Sequence, residues 1–246
     1  MDKVYRETVT LTDFHLDCFR RLKPSAMLLF IQNMAEHHAS RLGAGWHALA
    51  EKHLFWALIR HKIQITRLPE ADETITLETW PMPTTRVAYP RATVAYDAQG
   101  NELFRSIAVW VLMDVNTRAM VLPGKSGVPV DGVLRGTELA LPGSILPKKL
   151  ENTLSRTVGY TDLDRNGHMN NTHYMQWVDN LLPSVFHKDH PVKQITLCYL
   201  SEAREGQELH LSWELDPEQN LSVEAFRTDT ADTSKTHRIF AAKLEY

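Results

Sequence analysis

The chain has 246 residues, of which 43% are hydrophobic and 23% charged, and a formal net charge of -3. That length suits one large domain or two of about 100–150 residues, and the slightly acidic balance argues against a general nucleic-acid binder, which is normally basic. The longest uninterrupted apolar run, Ile107–Met113, spans seven residues, far short of the roughly 20 that a helix needs to cross a bilayer.

The start, Met-Asp-Lys-Val-Tyr-Arg-Glu, carries no apolar signal region and no Arg/Ser-biased transit pattern. Two cysteines, Cys18 and Cys198, offer neither metal spacing nor a disulfide framework, so a cytoplasmic, reducing setting is expected. A short first strand and a loop lead into a helix predicted over Ser25–Leu42, with Pro24 before it and Gly43 placed to stop it. Its apolar residues (Met27, Leu28, Leu29, Phe30, Ile31, Met34, Ala35, Leu42) cover more than one face and predict burial on most sides. Strands are expected near Phe55–Arg67, Glu73–Trp80, Arg86–Asp97 and Glu102–Asp114, the last two joined by a turn at 98–101.

Residues 117–150, with a Gly- and Pro-rich stretch from Pro123 to Pro147, show no sustained period and read as a linker between a domain at 1–116 and a second at 151–246. The second half repeats the plan. A helix is predicted over Thr172–Leu182, ended by Pro183, followed by strands near Val192–Ser201, Gln207–Glu214, Leu221–Thr228 and Thr236–Tyr246. Leu68-Pro-Glu-Ala-Asp-Glu73 and Leu200-Ser-Glu-Ala-Arg-Glu205 share one pattern, and Leu11-Thr-Asp13 echoes Tyr160-Thr-Asp162. One buried helix and a run of antiparallel strands per half define an α+β chain, and two such halves are expected to pack as a pseudo-dimer.

The densest chemistry lies at 160–174. Asp164, Asn166 and His168 stand at every second position just before a helix start. If the segment is extended, they share one side. Asn170, Asn171 and Thr172 are good N-caps, and the helix start offers amide donors and a partial positive charge to an oxyanion. An acid, an amide and an imidazole beside such donors point to acyl hydrolysis. On spacing alone, a polar turn with Asp and Asn serving turn chemistry stands level with that reading. Asp162, Asp164, Asn166 and Gly167 also match the opening of a calcium loop, but the bidentate Glu is replaced by His173 and the preceding segment looks like a strand.

Other motifs are weaker. There is no Gly-x-Ser-x-Gly elbow, and Gly124-Lys-Ser126 lacks the first P-loop glycine, Ala119 standing there. No His-Glu-x-x-His or CxxC supports a metal site, so neither metal nor cofactor is expected. His37 and His38 read as exposed or locally satisfied, and Cys198 as a small hydrophobe in a strand. Glu202 is different: it follows a strand in the half that holds the polar row, and a water attacking a thioester needs a base. The first half keeps Glu70 but has Phe14–Phe19 where the row should be. Catalysis in the second half and binding in the first is the natural division.

The string Thr161-Asp-Leu-Asp-Arg-Asn-Gly-His-Met-Asn-Asn-Thr-His-Tyr174, with Tyr199-Leu-Ser-Glu-Ala-Arg-Glu-Gly206 downstream, resembles the signature of acyl-acyl-carrier-protein (acyl-ACP) thioesterases. The resemblance covers most of the chain and suits a bacterial-type member. It implies tandem hotdog domains, release of free fatty acid from acyl carrier protein at the end of fatty acid biosynthesis, and Asp164, Asn166, His168 and Glu202 as the catalytic set. It breaks at Ala203, where plant members carry a cysteine. The expected roles are Glu202 with His168 activating water, Asn166 and helix-start amides holding the oxyanion, and Asp164 orienting the row. A direct carboxylate nucleophile stays open. The acyl chain is expected in the first half, and the acidic carrier protein on a basic patch such as Arg20, Arg21 and Lys23. A homodimer is compatible with this. The alternatives are an acyl-coenzyme A thioesterase of similar fold and a non-catalytic acyl-binding module.

Overall fold

The computed structural model describes residues 3–136, 139–229 and 235–246. They form two compact units, the first running to Pro142 and the second from Gly143.

The first unit opens with β1 (Tyr5–Thr10) and a short 3-10 turn at Asp13–His15 before α1 (Pro24–Arg41). Pro24 occupies the first helical position, where its missing N–H costs nothing. Gly43, at φ +73°, ends α1 as the sequence predicts: Ala44 N donates to Ala39 O at 2.8 Å, a left-handed C-terminal cap. α1 buries Ala26, Met27, Leu28, Phe30, Ile31, Met34, Ala35 and His38. It is not buried on most sides, however, because Leu29, Asn33, Glu36, His37 and Ser40 form an exposed stripe at helical spacing.

A one-turn helix α2 (Trp46–Ala50) follows, then β2 (Leu54–Ile65), β3 (Thr74–Pro81), β4 (Tyr89–Tyr96), β5 (Glu102–Asp114), the two-residue β6 (Met120–Val121) and the short α3 (Pro123–Ser126). The sheet order is β1-β3-β4-β5-β2, all antiparallel, with β6 added to β5. The β4–β5 turn is held by Asp97, whose carboxylate accepts from Gln99 N at 2.9 Å and Asn101 N at 2.8 Å. α1 packs on β3 and β1.

The stretch after β6 lies along the first unit. Val128 and Val130 pack with Leu49, Leu54 and Tyr89, while Val133 covers Trp80 and Ala92. Val133 N donates to Pro81 O at 2.9 Å, and Gly132 lies so close to β3's end that a Cβ there would stand 2.0 Å from Met82 O. Arg135 reaches Glu78 at 2.9 Å.

The second unit contains β7 (Asn152–Thr157), a 3-10 turn at Tyr160–Asp162, α4 (Asn171–Asp179), α5 (Ser184–Asp189), β8 (Gln194–Tyr199), β9 (Glu208–Leu215), β10 (Asn220–Thr228) and β11 (Thr236–Glu245). Its order is β7-β9-β10-β11-β8. Element for element this is the order of the first unit, so the two halves are one plan used twice. α4 ends three residues before the predicted Leu182, and Pro183 caps the start of α5 instead of stopping α4. Tyr174 on α4 stacks on Phe240 of β11 with ring centroids 4.9 Å apart, seating the helix on its sheet. Among the described residues, no helix is long and apolar enough to cross a membrane.

Candidate active site

The loop between β7 and α4 is built by its own carboxylates. Asp162 accepts from Gly159 N at 2.9 Å through one oxygen and lies 3.1 Å from His173 Nδ1 through the other. It thereby ties the loop's entry to the start of α4. Asn170 N donates to Asp162 O at 2.8 Å, and Leu163 and Met169 form an antiparallel bridge.

Between them the chain does not run extended, as the alternation of Asp164, Asn166 and His168 suggested. It turns tightly. Asp164 N donates to His168 O at 2.8 Å, Gly167 N to Asp164 O at 3.0 Å, and Gly167 sits at φ +73°. Asp164 Oδ1 accepts from Asn166 N at 2.8 Å and His168 N at 3.2 Å, so this carboxylate holds the turn. The three side chains therefore do not form a row on one wall. Asn166 is exposed at the tip, its amide nitrogen 3.4 Å from Asp164 Oδ2.

His168 is turned inward. Met169 N donates to Ala203 O at 2.8 Å, which docks the loop on the segment after β8. That single bond brings residue 168 beside residue 202: His168 Nε2 lies 3.2 Å from Glu202 Oε2, with the imidazole 12% exposed and the carboxylate 38%. The approach is an ion-pair distance outside hydrogen-bond alignment. Burial, and after it the charge of Glu202, holds the Tyr174 hydroxyl far above its usual range. Arg227, which opposes that rise, is fixed by Gln207 at 2.8 Å, and Gln207 also accepts from Arg204 N at 2.9 Å. Glu202 and Arg227 thus both act on Tyr174, with opposite signs, a neighbourhood with no signal in the sequence.

The structure also narrows the oxyanion donors. Thr172 N is taken by the Asn170 side chain at 2.9 Å, and His173 N donates to Asn170 O at 3.0 Å. Two of the helix-start amides expected to face an oxyanion are thus engaged in capping α4.

The same turn exists in the first unit, overlapping the expected Phe14–Phe19 but running on to Arg21. The counterpart of Asp164 is Asp17, seven residues ahead of the first helical residue as Asp164 is in the second unit. Asp17 Oδ1 accepts from Phe19 N at 2.8 Å and Arg21 N at 2.9 Å, Leu16 bridges Leu22, and Arg20 takes the left-handed conformation at φ 65°. Asp17, Phe19 and Arg21 thus replace Asp164, Asn166 and His168. The aspartate stays, and the amide and imidazole do not. Of the basic cluster, Arg21 lies 3.3 Å from Asp17 and Arg20 3.3 Å from Asp72, so carboxylates offset part of its charge.

Ala203 is fully buried and contributes its carbonyl to the loop, while Cys198 is buried in β8. Neither supplies a nucleophilic thiol at the His168–Glu202 pair.

Comparison with known proteins agrees with this layout. The model of the acyl-ACP thioesterase N-terminal domain matches residues 2–122, and that of the C-terminal domain matches residues 147–245. The chain is 23% identical over 214 residues to a chloroplastic palmitoyl-acyl carrier protein thioesterase of Gossypium hirsutum, covering 81% of this chain and 52% of that protein. It is 26% identical over 220 residues to the chloroplastic oleoyl-acyl carrier protein thioesterase 2 of Arabidopsis thaliana, covering 82% and 60%. This chain spans a little over half the length of these relatives. Among solved structures, an acyl-ACP thioesterase from Bacteroides thetaiotaomicron superposes with a TM-score of 0.87 at 23% identity, over 99% of this chain and 97% of the other. The 12:0-ACP thioesterase from Umbellularia californica gives 0.84 at 20% identity, over 100% and 97%. These likenesses establish the fold: two hotdog units in tandem.

Proposed function

Because this chain belongs to the acyl-ACP thioesterase family, both of whose domain models it matches in order, we propose that it hydrolyses the thioester of fatty acyl-acyl carrier protein. The products are free fatty acid and the carrier's thiol, and elongation ends there. The observation that carries the reading is the His168–Glu202 pair, 3.2 Å apart and half sheltered from solvent.

Thioester hydrolysis needs a base for the attacking water, a donor for the carbonyl oxygen as it gains charge, and a proton for the departing thiolate. Glu202 is the more exposed member of the pair and takes the proton from water. His168, beside it, stabilises the carboxylate and relays a proton to the thiolate. The Asn166 amide, at a long 3.4 Å from Asp164, is free enough in geometry to turn onto the carbonyl oxygen. Asp164 acts through the turn it holds and is a positioning residue. Water is the only co-reactant. The first unit, lacking the amide and imidazole at its equivalent turn, holds the acyl chain. Two free cysteines fit a cytoplasmic setting.

Separate Glu202→Gln and His168→Ala variants test this. Each should lower kcat by about 100-fold or more, in line with general acid–base catalysis, at unchanged melting temperature. Near-wild-type turnover in either variant removes that residue from the mechanism.

A further inference from the structure

Directly opposed residues on antiparallel strands share a face. In the first unit the register therefore places Arg91, Ala108 and His61 in one row across β4, β5 and β2. Thr93, Ser106 and Ile63 form the row on one side of it, and Tyr89, Trp110 and Leu58 the row on the other. The face is the one turned to α1, because Arg91 Nη1 lies 3.1 Å from His38 Nδ1 on that helix.

The middle of this face is polar in a core that is apolar at both ends. His61 is 2% exposed, Ser106 2% and Arg91 8%. Among the described residues, both ring nitrogens of His61, the Ser106 hydroxyl and the Trp110 indole N–H have no hydrogen-bond partner. All three residues neighbour Ala108 on this face, where the side chain is only a methyl group. Arg91 has His38 Nδ1 and Thr79 Oγ1 as its partners, neither of them a carboxylate.

Buried polar groups in folded proteins are nearly always satisfied, and one left orphaned forfeits its hydration without a replacement bond. Three around a single alanine, beside a cation, form a site that an outside group can complete. Burial pushes His61 down to about 3, so its ring is neutral, with one donor and one acceptor nitrogen, whereas Arg91, lowered to about 10, stays charged. An unbranched hydrocarbon satisfies none of these groups. A hydroxyl satisfies two at once, accepting from Arg91 or Trp110 and donating to His61 or Ser106.

We propose that the polar ring around Ala108, formed by His61, Ser106, Trp110 and Arg91, is a recognition site for a hydroxyl group carried on the acyl chain. The inference rests on the reading that the first unit holds that chain. It assigns the protein a preference for hydroxylated over unsubstituted acyl groups.

Calorimetric binding of free fatty acids to the intact protein tests it without requiring turnover. The probes are saturated acids of several lengths and, for each length, the isomers carrying one hydroxyl at successive positions along the chain. One isomer should bind about tenfold tighter than its unsubstituted parent, the gain expected of a hydrogen bond to a charged group. Ser106→Ala removes the hydroxyl with little change in volume and Trp110→Phe removes the indole N–H while keeping an aromatic ring, and each should bring that ratio close to one; His61→Phe should do the same. Equal binding of every isomer and its parent overturns the proposal, as does binding of none of the acids or a ratio that survives all three variants. Thiol release from unsubstituted acyl carrier protein substrates, measured alongside, separates the two claims. Turnover without a hydroxyl preference removes only the recognition site, and a preference without turnover removes only the thioesterase reading.

Discussion

Asp164 and Glu202 are both carboxylates beside one histidine, yet their surroundings assign them different work. Asp164 spends its oxygen on two backbone amides at 2.8 and 3.2 Å. Glu202 faces an imidazole 3.2 Å away. Asn can replace Asp164 as an acceptor, so Asp164→Asn should keep a substantial part of kcat, whereas Asp164→Ala should loosen the turn and lose about tenfold or more. Equal losses in the two would mean that the charge of Asp164 matters in its own right. Far from this pair, His61 makes an independent prediction. Its buried ring is held near 3 by desolvation, against an ordinary value of 6.5. The unfolded chain therefore binds a proton that the native state refuses. The neutral ring's contribution to stability is fully present above pH 6.5 and is lost as pH falls toward 3, at up to about 1.4 kcal/mol per pH unit. Chemical denaturation of wild type and His61→Phe across that range checks this: the variant should show the flatter dependence. Parallel curves would contradict it.

At the scale of elements, one turn appears twice with two solutions for the same left-handed residue. The second unit uses Gly167 at φ +73°, where glycine carries no penalty, and the first uses Arg20 at φ 65°, where a side chain does. Gly167→Ala should cost about 1 kcal/mol and Arg20→Gly should recover up to a similar amount; both are read from denaturant midpoints. The opposite sign at either site would mean that side-chain contacts outweigh backbone strain. Long elements were legible from the sequence because their patterns are long. β5 matches its predicted bounds, and β2, β3 and α1 come within one or two residues. α2 and α5, of five and six residues, are too short to show a helical period. The packing of Val128, Val130 and Val133 on the first unit was hidden because irregularly spaced valines among Gly and Pro carry no period. Of the candidate site, the proximity of two expected members is seen: His168 Nε2 lies 3.2 Å from Glu202 Oε2. Its geometry was not legible, since spacing at every second residue describes a strand and a tight turn equally well until the carboxylate's own hydrogen bonds decide between them.

Across the whole molecule, the shared strand order and the shared aspartate turn describe two copies of one architecture built from largely different residues. The second unit has Asn166 and His168 where the first has Phe19 and Arg21. The first carries a buried polar ring beneath its helix. In the proposed division of labour, one copy performs the hydrolysis and the other reads the acyl chain. The repeat was visible in Leu-x-Glu-Ala-x-Glu, but its register was not, because Asp17-Cys-Phe-Arg-Arg21 shares only one residue with Asp164-Arg-Asn-Gly-His168. The most direct test of the central claim is thiol release from matched acyl carrier protein and acyl-coenzyme A thioesters by wild type and His168→Ala. The proposed function predicts faster release from the carrier-protein esters, cut by about 100-fold or more in the variant. Release that the variant leaves intact, or none from either class of ester, would contradict it.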